Sequence, residues 1–344
     1  MGCPRRCIYC SVDKLCLDLV KPDDLEDYVN EWLKLFNGNG ERVEIAFYGG
    51  TFTNIPPRLM DSYLTEAEKF VKAGLVYGIR ISTRPDYLDD DILEHLKERN
   101  VKVIEVGVES FDDEVLTRTN RGYDSKTAFE ACERVKKYGI ELGIHLMVGL
   151  PGDELKKDME TVRKTILLEP ETVRIHPTLV LKNTELELMY RNGLYEPLSL
   201  DEAVDTVSEM FIGFAGYRIR VVRMGFFVPS DRISEVVAGP NHPSFGDMVK
   251  YVAFRKLVKW AFSRYGEVIV LIGEGKRWVI NGYGGENGRI LSNYMDRFKF
   301  VGGNEIRFIL NDAMVDYRTL MKKYFREKYE MDHTLGRGRR DETR

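Results

Sequence analysis

Six apolar, β-branched runs of strand length recur along the first two thirds of the chain, at residues 43–48, 79–82, 101–108, 142–148, 173–181 and 218–224. They look apolar on both faces, which predicts strands of a buried parallel sheet. Between them lie amphipathic stretches of helical period at 23–36, 57–71, 90–98, 125–138, 155–167 and 201–214. Start signals mark several of these. Asp23 and Asp24 follow Pro22, acidic residues open the helix at 90, and Ser199 precedes Asp201 and Glu202. Alternation on this scale implies right-handed βαβ units, hence an open parallel sheet or a barrel. Functional sites in such folds gather at the carboxyl ends of the strands. The unusual residues fall there: Gly49-Gly50-Thr51, Ser82-Thr83-Arg84-Pro85, Glu109-Ser110, Gly149-Leu150-Pro151-Gly152 and His176-Pro177.

Past residue 224 the rhythm changes. A link rich in Gly, Pro and His (238–243) leads to a helix at 247–262, a strand at 268–272 and a Gly-rich turn at 281–288. A helix at 289–297, a strand at 306–310 and a helix at 317–329 complete a small α+β domain over residues 225–335. The Arg-rich tail, 336–344, has the composition of a disordered segment. The net charge of −4 hides an asymmetry. Residues 215–344 hold 24 Lys+Arg against 15 Asp+Glu, a balance of +9, and residues 1–214 a balance of −13. Such a split is expected where one half meets a polyanion, or where long surface helices are simply basic. No apolar run approaches the roughly 20 residues of a membrane span, and Met1 is followed at once by a Cys-rich loop rather than a leader. A cytoplasmic location with no membrane partner is the expectation.

Three of the five cysteines sit in the first ten residues, with Cys16 and Cys132 apart. An odd number clustered at one end points to metal or redox chemistry in a reducing compartment, not to disulfides. Cys3, Cys7 and Cys10 form a C-x3-C-x2-C loop. Three thiolates on one short loop can bind three corners of an iron–sulfur cubane and leave the fourth iron open. A structural zinc site is the alternative, but zinc usually takes paired C-x2-C groups and no second pair exists. Cys16 is a possible fourth ligand.

With Tyr9 just before the third cysteine, this loop resembles the signature of the radical S-adenosylmethionine (SAM) superfamily. The likeness covers about residues 1–215 and implies a partial (β/α) barrel of TIM type over 1–224. It also implies a [4Fe–4S] cluster on Cys3, Cys7 and Cys10, with SAM chelating the open iron. One electron then cleaves SAM to a 5′-deoxyadenosyl radical, and an electron donor such as a ferredoxin or flavodoxin is implied as a partner. Gly49-Gly50-Thr51 resembles the motif that takes the SAM amino group, where glycine admits close backbone approach. Ser82, Glu109, Arg121 and His145 match cofactor-contacting positions of the branch holding oxygen-independent coproporphyrinogen III oxidase and the Elongator catalytic subunit. The segment from Arg174 to Thr184 looks closest to the Elongator subunit, which has a tyrosine in place of His176, and makes His176 and Lys182 substrate-side candidates. Nothing resembles the acetyltransferase domain of that subunit. Radical SAM domains carry a strand before the Cys loop, so either a segment lies upstream of Met1 or one barrel strand is missing. Gly282-Tyr283-Gly284-Gly285 resembles the GxxG loop of KH domains. Modification of tRNA or a related RNA, held by the basic C-terminal half, is the leading expectation. A small-molecule substrate such as a tetrapyrrole, and a non-catalytic iron–sulfur protein, are the alternatives. On the RNA reading, Arg218, Arg220 and Arg223 share one strand face, and Lys276, Arg277, Arg289 and the tail add charge.

Overall fold

The structure is a computed structural model and describes residues 2–3, 6–11, 20–35, 42–226 and 228–329. Cys16 and the basic tail lie outside the described residues. Twelve strands occur within them: β1 (Glu44–Phe47), β2 (Gly78–Thr83), β3 (Val101–Glu109), β4 (Glu141–Val148), β5 (Thr172–Pro177), β6 (Val180–Leu181), β7 (Arg220–Met224), β8 (Val236–Ala238), β9 (Val268–Gly273), β10 (Phe298–Val301), β11 (Ile306–Leu310) and β12 (Ala313–Asp316). Strands β1, β2, β3, β4, β5 and β7 pair in that order, all parallel, as a curled half-barrel. This is the expected partial barrel.

Side-chain character divides the sheet into two unlike faces, where the sequence pattern predicted two apolar ones. Ile45, Ile79, Ile81, Ile104, Val106, Leu142, Ile144, Val173 and Ile175 pack in the core with the surrounding helices. The alternate positions carry Glu44, Arg80, Glu105, Gly107, Glu109, Gly143, His145, Arg174 and His176, and period-2 alternation puts these on the concave face. Register reinforces this, because His145 pairs with Arg174 and Met147 with His176.

The run at 173–181 does not form one strand. Pro177 has no N–H to continue the ladder, and both the N–H and the hydroxyl of Thr178 turn to Val148 O, at 3.0 and 2.7 Å. The chain resumes as β6, which pairs antiparallel with β8 in a separate ribbon. Local signals set the helix starts. Asp89 and Asp124 accept from Ile92 N and Thr127 N, and Ser199 with Glu202 forms a capping box on the helix Leu200–Gly216.

The second sheet has the order β10-β9-β11-β12, with β10 parallel to β9 and β11 antiparallel to both β9 and β12. Residue 225 marks a change of sheet but not of core. Phe214, Phe254, Phe308 and Phe325 belong to the same buried cluster as Ile79 and Leu142. Buried Glu209, on the helix Leu200–Gly216, meets Lys256 and Lys328 Nζ at 2.8 and 2.7 Å and accepts from Tyr324 OH at 3.0 Å. That carboxylate ties both long C-terminal helices to the barrel.

Three details depart from expectation. The Gly-rich segment joins two short helices, Trp278–Asn281 and Glu286–Ile290, and is not a strand-to-helix loop. Arg218 lies before β7 at φ +65°, in the turn that leaves the preceding helix. Arg220 and Arg223 do share a face, because a register shift opposite Val173 and Arg174 pairs them with Thr172 and Arg174. That face is the concave one, where Arg223 lies exposed on the edge strand next to Arg174.

Candidate active site at the barrel mouth

The Cys loop is pinned across the carboxyl ends of the strands by backbone bonds. Ile8 N–H donates to Thr119 O at 3.3 Å, Leu186 N–H to Ile8 O at 2.9 Å, and Asn120 Nδ2 to Arg6 O at 3.1 Å. Cys3 Sγ lies 3.3 Å from Thr51 Oγ1, and Asn54 Nδ2 donates to Gly2 O at 2.7 Å. The loop thus starts against the Gly49-Gly50-Thr51 turn, where φ values of +106° and +141° explain the two glycines. Cys7 is buried, Cys10 half-buried and Cys3 exposed.

Beneath Cys7 sits a fully formed polar cluster. Arg121 is buried, and its Nη1 donates to Cys7 Sγ at 3.2 Å and to Tyr9 OH at 3.1 Å. Its Nε donates to Tyr123 OH at 2.8 Å, and its Nη2 lies 3.4 Å from Glu109 Oε1. Burial works against the Arg121 charge, and Tyr123, Tyr9, Glu109 and Cys7 around it outweigh that and hold it protonated. Arg84 Nη1 approaches Cys7 Sγ to 4.0 Å while Asp86 grips its guanidinium at 2.9 and 2.8 Å. Glu109 terminates β3 at φ +65°, after a register shift that follows Gly107. A Cβ on Gly107 would stand 3.1 Å from Glu109 Oε1, so glycine there leaves room for the carboxylate and Arg121. Burial raises the Glu109 carboxyl, but His145 and Arg121 dominate and hold it below its ordinary value.

From Glu109 a line of contacts runs along the concave wall. Glu109 Oε2 meets His145 Nδ1 at 2.7 Å, and His145 Nε2 lies 2.9 Å from His176 Nδ1. One layer deeper, Arg174 Nη2 reaches Glu105 Oε2 at 3.3 Å and donates to Tyr48 OH at 2.9 Å. Burial, then Glu105, pushes the Tyr48 phenol up to about 12.

Of the sequence candidates, Thr51 lies against Cys3 and Arg121 against Cys7. Glu109, His145 and His176 follow from Arg121 in one line of contacts, and Gly49 and Gly50 form the turn that leads into Thr51. Ser82 lies on the same face, paired with Glu105 in register. Lys182 does not join them. It is exposed beyond the β6–β8 ribbon, its N–H bonds Glu235 O, and its charge acts on Glu187. The split at Pro177 carries it away from the wall that His176 occupies. Arg84 and Tyr123 were missed, although Arg84 lies in the flagged strand-end segment and Tyr123 two residues after Arg121.

The donor set suits an anionic iron–sulfur cluster: thiols on one loop, a cationic donor on a ligand sulfur, and a second guanidinium behind it. Among the described residues no three His, Cys, Asp or Glu side chains converge as ligands of one shared ion. A cubane instead takes each thiolate on a separate iron.

Comparison with known proteins places the chain in a family. The radical SAM superfamily matches residues 1–165 and the radical SAM C-terminal domain residues 170–252. An uncharacterized protein of Methanocaldococcus jannaschii is 31% identical over 63% of this chain and 70% of its own length. The chain belongs to the radical SAM superfamily. Membership implies an enzyme, and the superfamily generally binds a [4Fe–4S] cluster and SAM. Human Elongator complex protein 3 is 27% identical over 61% of the chain, and a tRNA uridine(34) acetyltransferase of M. jannaschii 27% identical over 48%. The chain spans only 42% and 35% of those two relatives. The solved Elp3 of Methanocaldococcus infernus superposes with a TM-score of 0.61 at 22% identity, over 69% of this chain and 59% of that one, which shows the shared fold. Among the described residues no helix is long and apolar enough to cross a membrane.

Proposed function

We propose that this chain is a radical SAM enzyme that modifies tRNA or a related RNA. The observation that carries the chemistry is Arg121, buried and joining Cys7, Tyr9, Tyr123 and Glu109 at the barrel mouth. In this reading Cys3, Cys7 and Cys10 hold a [4Fe–4S] cluster, and Gly49, Gly50, Thr51, Ser82, Glu109, Arg121 and His145 surround SAM. When bound, that pair supplies a 5′-deoxyadenosyl radical able to abstract a hydrogen atom, and the difficult chemistry is the cofactor's. The chain's own residues orient and shield. Arg121 and Arg84 offset negative charge at Cys7, Glu109 offers carboxylate oxygens at a fixed position, and His145 holds that carboxylate in place. The electron comes from a donor such as a ferredoxin or flavodoxin.

RNA as substrate is supported by the relatives named for tRNA and by the C-terminal surface. Arg277 lies over the exposed Phe300 ring at 4.3 Å and Lys276 beside Trp278 at 5.8 Å, with Tyr283, Arg289 and Lys299 exposed nearby in the chain. Basic groups interleaved with exposed aromatics suit phosphates and unstacked bases. The reading covers the radical step and not the acetyl transfer in those relatives' names, and it puts the reaction in the cytoplasm. Because the two sheets share one core, the test uses the full chain. Total tRNA should bind with an affinity that falls as salt rises, and Lys276→Ala with Arg277→Ala should flatten the slope of log K against log salt by about 1 to 2. No binding by the intact chain at low salt would end the RNA reading.

A further inference from the structure

We propose that Glu109, His145 and His176 form a fixed carboxylate–imidazole–imidazole relay that leaves His176 Nε2 as a bare hydrogen-bond acceptor. With Arg174 and Arg223, that acceptor takes a lactam edge, an N–H beside a carbonyl oxygen, on the substrate base. The inference rests on the RNA reading for its substrate and on the protein alone for its relay.

The logic is one of donors and acceptors. Glu109 is held ionised, so its oxygens can only accept, and at the 2.7 Å ion-pair distance the hydrogen sits on His145 Nδ1. With that single hydrogen on His145, the ring's lone pair lies on Nε2. The 2.9 Å contact to His176 Nδ1 is therefore a bond donated by His176. That leaves the His176 lone pair on Nε2, which is buried and has no partner among the described residues. An unmet buried acceptor is costly unless a ligand satisfies it. The rings cross edge to face, 4.5 Å apart at 79°, so the direction of each lone pair is set by packing. On its other side His176 meets the Phe226 ring at 5.2 Å, an apolar wall.

The charged groups facing His176 are His145 from β4, Arg174 from its own strand and Arg223 from β7, with Glu105 and Tyr48 below Arg174. Burial first, with the Arg174 and Arg223 guanidiniums beside it, holds its pKa well below the ordinary value, so it stays neutral at physiological pH. A neutral acceptor beside two guanidinium donors complements an N–H flanked by a carbonyl, and mismatches an edge offering only acceptors. His176 touches the substrate in this account. His145 and Glu109 act through it as positioning residues.

The chain holds five histidines, so their imidazole nitrogens can be followed individually by long-range 1H–15N correlation on the full, 15N-His-labelled protein. The expected result is His176 in the Nδ1–H form, still neutral near pH 6.5, where a free imidazole is half protonated. His145→Gln should keep that tautomer, since the amide can donate to Glu109 and its oxygen can accept from His176. His145→Leu should release His176 toward the Nε2–H form. Uridine or guanosine at millimolar concentration should shift the Nε2 resonance of His176, and 3-methyluridine, whose edge offers only acceptors, should not. An Nε2–H tautomer in the parent, or one tautomer population in all three proteins, overturns the relay. A shift with 3-methyluridine equal to that with uridine, or none with either lactam nucleoside, overturns the lactam assignment. Loss of tRNA binding with the relay intact would instead fault the RNA reading.

Discussion

Two arginines three residues apart give the sharpest test of the site's architecture. Arg118 is exposed, with 58% of its side-chain surface open to solvent, and pairs with Glu114 along its own helix. Arg121 shows 6% and reaches five groups: Cys7 Sγ, Tyr9 OH, Tyr123 OH, Gly107 O and Glu109 Oε1. In Arg121→Met the apolar stem is largely replaced, so the loss is electrostatic. Removing one partner of a buried ion pair costs about 3–5 kcal/mol. Here Glu109 keeps His145 at 2.7 Å and Gly107 O keeps the Tyr123 hydroxyl at 2.7 Å, which argues for the lower end, about 3 kcal/mol. At roughly 2 °C per kcal/mol for a chain of this length, Tm should fall by about 6 °C. Arg118→Met should leave Tm where it is, because exposed pairs contribute little. Differential scanning calorimetry of the cluster-free chain makes the comparison without any cofactor. Equal, small effects of the two substitutions would refute the claim that Arg121 is the keystone of the mouth.

Three further outcomes follow from the same contacts. Replacing Cys3, Cys7 or Cys10 by Ala should abolish the visible iron–sulfur absorption after anaerobic reconstitution, whereas Cys132→Ala should keep it; retention in Cys7→Ala would count against the loop. Glu209→Ala removes the buried carboxylate that Lys256, Lys328 and Tyr324 share. Lys256 keeps Asp205 at 2.8 Å and Lys328 is partly exposed, so the cost should be about 1–3 kcal/mol, read by denaturant unfolding, and no measurable change would mean the two sheets are not tied there. Acid should destabilise the chain through His176. Its folded pKa is depressed, so the unfolded state takes up the extra proton as pH falls through about 6.5 and stability drops. Glu109, also depressed, acts in the same direction at lower pH, while Asp153, raised to about 6 chiefly by burial, favours the folded state on the acid side. The Tm of His176→Phe should therefore fall less than the parent's between pH 7 and 5.5, and parallel curves would contradict the buried neutral imidazole.

Much of this site could be read from the chain because parallel strands deliver their last residues to one place. Glu109, His145 and His176 each sit at or near a strand's carboxyl end, so knowing the strands was enough to bring them together. Arg121 is a loop residue, and only its resemblance to a family position marked it before the structure showed it buried. The polar concave wall was hidden by its neighbours. In β3, Glu105, Gly107 and Glu109 alternate with Ile104, Val106 and Val108, and the apolar set dominates a window of that length. Lys182 was misplaced because a β-branched run reads through Pro177 when its missing N–H is not weighed. Strands β10 and β12, four residues each with exposed basic or polar members, are too short to carry a period.

The central claim is that this barrel generates an adenosyl radical for use on RNA. Anaerobic reconstitution of the full chain, followed by reduction with SAM present and quantitation of 5′-deoxyadenosine with and without total tRNA, tests it most directly. The account predicts SAM cleavage that depends on Cys7 and is stimulated by tRNA. A reconstituted protein that forms no 5′-deoxyadenosine under either condition would contradict it.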